Sequence, residues 1–255
     1  YLDATFFPNL NELDFMQEGH RIEIGSDHTG KDILILKGVV YNEMKGAMSS
    51  VSSQLYQGLS EFLYSESTYK HNSGGDPGSI PQLTYQDLVS FHQKHYHPSN
   101  AVFLSHGNIS TDFLQDEIQT KVLQNFKPKA DDIRVLAETT FKKPLYGSKG
   151  YKPFADDTEN HHVIVSWLIP ETKDPVDHLA LELLENILLE NSASPLLKAL
   201  ENSELGIAPA SILGLGTSNK QMFFIAGLEG VAAGKDKEVE ALILNVLRDL
   251  VENSI

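Results

Sequence analysis

Apolar residues recur along the chain with two periods, near 3.6 and 2, and the switches between them mark the predicted elements. Residues 1–10 read as a helix end closed by Pro8, and residues 11–24 as a short helix entering the alternating strand "HRIEI". A turn at "GSDHTGKD" leads to the strand-like "ILILKGVV". One helix is then predicted over residues 38–63, with Met44, Met48, Val51, Leu55 and Phe62 on one side. "NSGGDPGSIP" is dense in Gly and Pro and reads as a loop. "LTYQDLVSFHQKHY" reads as a helix with Thr84 at the N-cap, Asp87 in the capping-box position and Pro98 as its stop. "NAVFLSHGNI" reads as a buried strand ending at Gly107, and "STDFLQDEIQTKVLQNF" as an amphipathic helix capped by Ser110 or Thr111.

Residues 127–160 are polar and rich in Pro, Gly and charge, as expected of a linker or irregular connection, with a domain boundary near Pro128. Beyond it, "HHVIVSWLIP" reads as a strand and "DPVDHLALELLENILLE" as a helix with Leu179, Leu183, Ile187 and Leu188 on one side. "SPLLKALEN" continues as a shorter helix, and "SILGLGTSNKQMFFIAGLEGV" as two strands around a turn at "TSNKQ". "KDKEVEALILNVLRDLVENS" is the closing helix. The expected fold class is α+β: two tandem units of largely antiparallel sheet with helices on one face, over residues 1–128 and 129–255. The similarity between the two units is one of element order, without a residue-level repeat.

The net charge of −15 makes nucleic acid a poor partner; it would suit a basic partner or substrate, but solubility alone accounts for it better. With no cysteine, a metal site would need His and carboxylate ligands. No apolar run approaches the roughly 18 residues of a membrane span, so no membrane partner is expected. Neither a signal peptide nor an initiating Met opens the chain, and both ends read as cut from a longer polypeptide.

The chemistry-bearing residues are sparse. At about 100° per residue, Glu43 falls off the apolar side of its helix, onto a face with Ala47, Ser50 and Gln54. Small neighbours leave space in front of the carboxylate, as a metal ligand needs; an acid favoured by the helix dipole fits equally well. His92, His95 and His97 crowd one helix end but lack the acid of an H-E-x-x-H arrangement, and dipole and packing account for them. His161 and His162 adjoin on a strand and so face opposite ways, while His20, His28, His71, His106 and His178 are isolated. "NSGGDPGSIP" lacks the G-K-[ST] of a phosphate loop, and "GLGTSNKQ" fits a hairpin connection better than a dinucleotide loop. No catalytic set is complete.

Several stretches taken together, "YLDATFFPNL", "DFMQEGHRIE", "VVYNEMKG", "SGGDP", "YHPSNA" and "SPLLKALENSELG", resemble the inverted-zincin peptidases of the insulinase/pitrilysin superfamily, in its presequence-protease branch. The resemblance runs across nearly the whole chain. It implies a zinc held by two His of an H-x-x-E-H helix and a distal Glu, the latter in "NEMKG" and therefore Glu43. This chain has no H-x-x-E-H, so both His ligands and the general base are expected upstream, together with the strand that holds the peptide. An assisting Arg/Tyr pair is expected downstream. His20 departs from the family, where Trp is usual, and is read as a packing difference.

The implied parent is a monomeric zinc metalloendopeptidase that encloses short unstructured, presequence-like peptides in a chamber. Residues 1–128 are then the later part of its zinc-bearing domain, and 129–255 the linker and early part of a non-catalytic one. The expected compartment is the mitochondrial matrix in a eukaryote or the cytoplasm in a bacterium. This chain alone is expected to be inactive, with no catalytic residue of its own and its substrate-binding residues undefined. The alternative is a non-catalytic scaffold or peptide-binding relative.

Overall fold

The computed structural model describes residues 1–130, 133–151 and 161–253. They form two units: Tyr1–Ala47 with Ser73–Arg134, and Met48–Asn72 with Val135–Ile255. Residues 131–132 and 152–160 of the predicted connection, and residue 254 of the predicted closing helix, lie outside the described residues.

The first unit opens with helix α1 (Leu2–Phe6), whose Phe6 is buried against the rings of Phe103 and Phe126 at 5.9 and 6.0 Å. Helix α2 (Glu12–Asp14) runs into a π-helical turn at Phe15–Gly19. Strands β1 (Arg21–Ser26) and β2 (Asp32–Lys37) then form an antiparallel ribbon pairing Arg21 with Lys37. On one face Glu23 bridges Arg21 and Lys37 at 2.6 and 2.9 Å; hydrogen bonds from Lys37, then Arg21, hold its carboxyl below the usual range.

The helix predicted over residues 38–63 is two helices, α3 (Val39–Ala47) and α4 (Val51–Leu63), one in each unit. Gly46 lowers helix propensity near the break. Ser50 ends the continuity by leaving helical geometry and capping α4: its hydroxyl accepts the Ser53 N–H at 3.1 Å. The face expected to join Glu43 and Ala47 to Ser50 and Gln54 is therefore not continuous.

Helix α5 (Tyr85–His95) has the predicted capping box in full: Thr84 Oγ1 accepts the Asp87 N–H, and Asp87 Oδ2 accepts the Thr84 N–H. The Thr84 hydroxyl also donates to Asp87 Oδ2 at 2.6 Å, and this bond leads the causes that hold the Asp87 carboxyl low. A carboxyl depressed on folding contributes stability above its unfolded pKa and loses it as pH falls through the folded value. Removing the N-cap hydroxyl in Thr84→Ala is expected to cost about 1 kcal/mol at neutral pH. The deficit should narrow below the ordinary Asp range; melting curves at neutral pH and near pH 3 check both, and an undiminished deficit at acid pH would refute the coupling. Helix α6 (Thr111–Lys121) starts at Ser110, which accepts the Phe113 N–H.

The predicted strand "NAVFLSHGNI" does not form: residues 101–106 have no ladder, and Val102 and Leu104 are 95% and 94% exposed. Period-2 apolarity specifies a strand only where another strand supplies hydrogen bonds, and no described segment pairs with this one.

In the second unit, strand β3 (His161–Leu168), helix α7 (Pro175–Leu189), helix α8 (Pro195–Glu201), strand β4 (Ala208–Pro209), strand β5 (Gly214–Gly216), strand β6 (Phe223–Val231) and helix α9 (Asp236–Asn253) follow the predicted order. Only the two-residue β4 is additional. β6 is central and antiparallel to all three partners, with β3 on one edge and β4 and β5 on the other. Alternation along β6 divides two cores. Ala226 and Leu228 join Leu188, Leu196, Leu200, Val239 and Ile243 from α7, α8 and α9. Phe223 and Ile225 meet Leu63 and Tyr64 from the α4 segment on the other face. Tyr64 is fully buried, donates to the Gln221 carbonyl at 2.7 Å, and is pushed by burial up to about 12.

One predicted face is corrected. Leu188 enters the core of α7, but Leu179, Leu183 and Ile187 are 54%, 54% and 45% exposed. The helix also carries Leu181, Leu184 and Leu189, so it is apolar nearly all round and periodicity does not single out the packed side. "GLGTSNKQ" is strand β5 and the hairpin connection leading to β6, as its lack of a βα context indicated.

Candidate functional site

Glu43 lies mid-way along α3, a helix with no buried residue, and its side chain is exposed. The carboxylate enters no ion pair or side-chain hydrogen bond among the described residues. Lys45, two residues on, has its ammonium 6.0 Å from the Tyr41 ring centroid. Glu43 thus presents an exposed carboxylate on a regular helix. It is a single donor: among the described residues no three His, Cys, Asp or Glu gather where they can hold a metal ion. Zinc takes four ligands, at least three of them protein in a catalytic site. The described residues therefore do not by themselves make such a centre.

The three clustered histidines are each occupied separately. His92 Nε2 donates to the Thr5 carbonyl at 2.9 Å, and its ring stacks on Tyr96 at 4.6 Å. His95 lies against Phe91 at 4.4 Å. His97 is 5% exposed; its Nδ1 accepts the Ser99 N–H at 3.1 Å and its ring stands edge-on to Phe126 at 5.0 Å. Packing and capping account for all three, in line with the reading from the sequence.

His20 also packs: its Nε2 donates to the Leu83 carbonyl at 2.8 Å, and its ring meets Phe15 edge-to-face at 5.5 Å. His162 lies T-shaped against Tyr151 at 5.6 Å, and burial holds its imidazole below the usual range. His178 forms an i,i+4 pair with Glu182 at 3.4 Å.

The sequence pattern did not single out a cleft of about 370 Å³ between α1, the end of α5 and residues 125–129, lined by Phe6, Tyr96, His97, Phe126, Lys127 and Lys129. Its aromatic walls come from three separate segments. Only the pair of lysines flanking Pro128 was visible locally, inside a stretch that reads as a connection.

The helix-on-antiparallel-sheet architecture is that of a peptidase-type α+β fold. The crystal structure of a protease from Helicobacter pylori aligns with a TM-score of 0.55 at 17% identity, covering 97% of this chain and 66% of that one. The family model for the Peptidase M16 inactive domain matches residues 82–255, and the chain belongs to the M16 peptidase family. Mouse mitochondrial presequence protease is 37% identical over 99% of this chain and 25% of its own length. Protein HypA of Clostridium perfringens is 35% identical over 100% of the chain and 26% of its own length. The chain thus spans about a quarter of the curated relatives it matches. Glu43 lies outside the segment that the family model matches. No helix among the described residues is long and apolar enough to cross a membrane.

Proposed function

We propose that this chain is a part of a zinc-dependent metalloendopeptidase that degrades short, unstructured, presequence-like peptides, and that Glu43 is the distal carboxylate ligand of its zinc. The observation that carries the reading is the similarity to presequence protease over 99% of the chain. The free, exposed carboxylate on α3 supports the role given to Glu43. Zinc in such a site would lower the pKa of a bound water and polarise the scissile carbonyl. Glu43 would contribute one negative oxygen ligand, fixed by a helix and not by a loop.

The parent would work in the mitochondrial matrix of a eukaryote or the cytoplasm of a bacterium, as a monomer, on peptides and not on nucleic acid. The net charge of −15 suits basic peptides.

Two measurements test this. The 255-residue chain, dialysed against zinc and then buffer, should retain well under one zinc per chain and leave a quenched peptide uncut. Stoichiometric zinc or turnover would overturn its proposed incompleteness. In the longer polypeptide, Glu43→Gln should lower zinc affinity by more than about 100-fold, beyond the range typical of outer-shell partners, with activity falling in parallel. Unchanged zinc affinity would remove Glu43 from the site.

A non-catalytic peptide-binding relative is the second reading, favoured by the match to an inactive-domain model. A broken H-x-x-E-H motif in the longer polypeptide would decide for it.

A further inference from the structure

We propose that the cleft beside α5 binds a small carboxylate carried on a flat aromatic body. Three features of the cleft point there independently of the peptidase reading.

Its walls are rings. Phe126 is packed by Phe6 at 6.0 Å and by His97 edge-on at 5.0 Å, so the floor is a cluster of rings in mutual contact. Tyr96, 48% exposed, is held by its stack on His92 at 4.6 Å. A planar ligand entering a space of about 370 Å³ lined this way meets ring faces and edges already in position.

Among the described residues, the charged groups on its rim are cationic. Lys127 and Lys129 both line the cleft, and no carboxylate among the described residues does. Lys127 makes no side-chain hydrogen bond or ion pair, and the Lys129 ammonium makes one bond, to the Gln93 carbonyl at 3.3 Å, leaving two N–H groups to donate. Among the described residues that line the cleft, the charged side chains are thus two lysines, in a chain of net charge −15.

The histidines supply directed polarity. Because His97 Nδ1 accepts the Ser99 N–H, its neutral ring carries the proton on Nε2, a donor. His92 spends its Nε2–H on the Thr5 carbonyl and presents its ring instead. Lys127, Lys129 and His97 keep N–H groups suited to an anionic oxygen, beside the amides of Gln93 and Asn125 and the Tyr96 hydroxyl, and the space beside them suits a ring.

Calorimetric titration of the 255-residue chain in about 50 mM salt, where exposed charges are weakly screened, uses benzoate as probe, with neutral benzamide and ring-less acetate as controls. Saturable benzoate binding is expected, with benzamide and acetate each at least about tenfold weaker, the scale of one charge-assisted hydrogen bond. The Lys127→Gln/Lys129→Gln double variant should lose about tenfold or more for benzoate, keep its benzamide affinity and melt as the parent chain does. Absence of benzoate binding overturns the proposal. So does benzamide binding as well as benzoate, acetate binding as well as benzoate, or a folded double variant that still binds benzoate fully. None of these outcomes depends on zinc or on peptide hydrolysis, so the peptidase reading stands or falls separately.

Discussion

Glu138→Ala is expected to destabilise the second unit by about 2–4 kcal/mol, the loss of three hydrogen bonds to one carboxylate, of whose donor residues Ser67 is buried. Glu138 is 6% exposed, with its carboxylate turned to backbone. Oε2 accepts the N–H groups of Glu66 and Ser67 at 2.9 and 3.1 Å, and Oε1 that of Thr139 at 3.0 Å. Gln221 closes the arrangement: its Oε1 accepts the Glu138 N–H, and its Nε2 donates to the Glu138 carbonyl at 3.2 Å. Truncation leaves three backbone donors without their acceptor, and at buried Ser67 water cannot readily replace it. Glu138→Gln keeps one oxygen and sets an amide N–H₂ against a donor, so it should lose less than Ala and more than a surface change. Urea unfolding measures both; a loss below 1 kcal/mol for Ala would show that the network carries little.

Gly214→Ala should cost about 2–4 kcal/mol, combining left-handed strain with a lost hydrogen bond. Gly214 has φ +110°, where a Cβ is disfavoured, and that Cβ would stand 2.3 Å from Glu185 Oε1. The carboxylate cannot withdraw freely, because the same oxygen accepts the Leu215 N–H at 2.8 Å and so ties α7 to β5. A double-mutant cycle separates the two causes. Glu185→Ala removes the obstacle, so the pair should cost less than the sum of the singles. Strict additivity would mean that the strain is backbone alone.

The residues that could be read from sequence were those whose partners lie within a few positions. Thr84 and Asp87 satisfy each other across one turn, so the capping box needed no tertiary information. The order of β3, α7, α8, β5, β6 and α9 followed because each has its own period and its own punctuation at Pro or Gly. Where the deciding partner is remote, pattern failed. Residues 101–106 have strand composition, but a strand needs a ladder, and that is not a local property. Ser50 looked like one more small residue on a long helix, yet its hydroxyl ends one helix and begins another. Glu138 sits in a polar stretch read as a connection, and nothing nearby in sequence shows that its carboxylate anchors residues 66 and 67. The candidate site divides the same way. Packing of the three histidines was legible from their position at a helix end. Glu43 was an ambiguous acid by geometry, and resemblance alone gave it a metal role. The cleft with Lys127 and Lys129 draws on three segments and had no local signature.

The seating of Tyr64 beneath β6 has a consequence in time. Its hydroxyl bonds to a carbonyl 157 residues further along the chain. At a synthesis rate of about 5–20 residues per second, the α4 segment emerges roughly 8–30 seconds before the strand that covers it. For that interval Leu63, Tyr64 and their neighbours are apolar surface without a lid, while chain destined for the other unit is made in between. The break at Ser50 therefore does more than divide a helix: it hands the growing polypeptide a fragment that must wait, and chaperone binding to nascent chains should concentrate in that window.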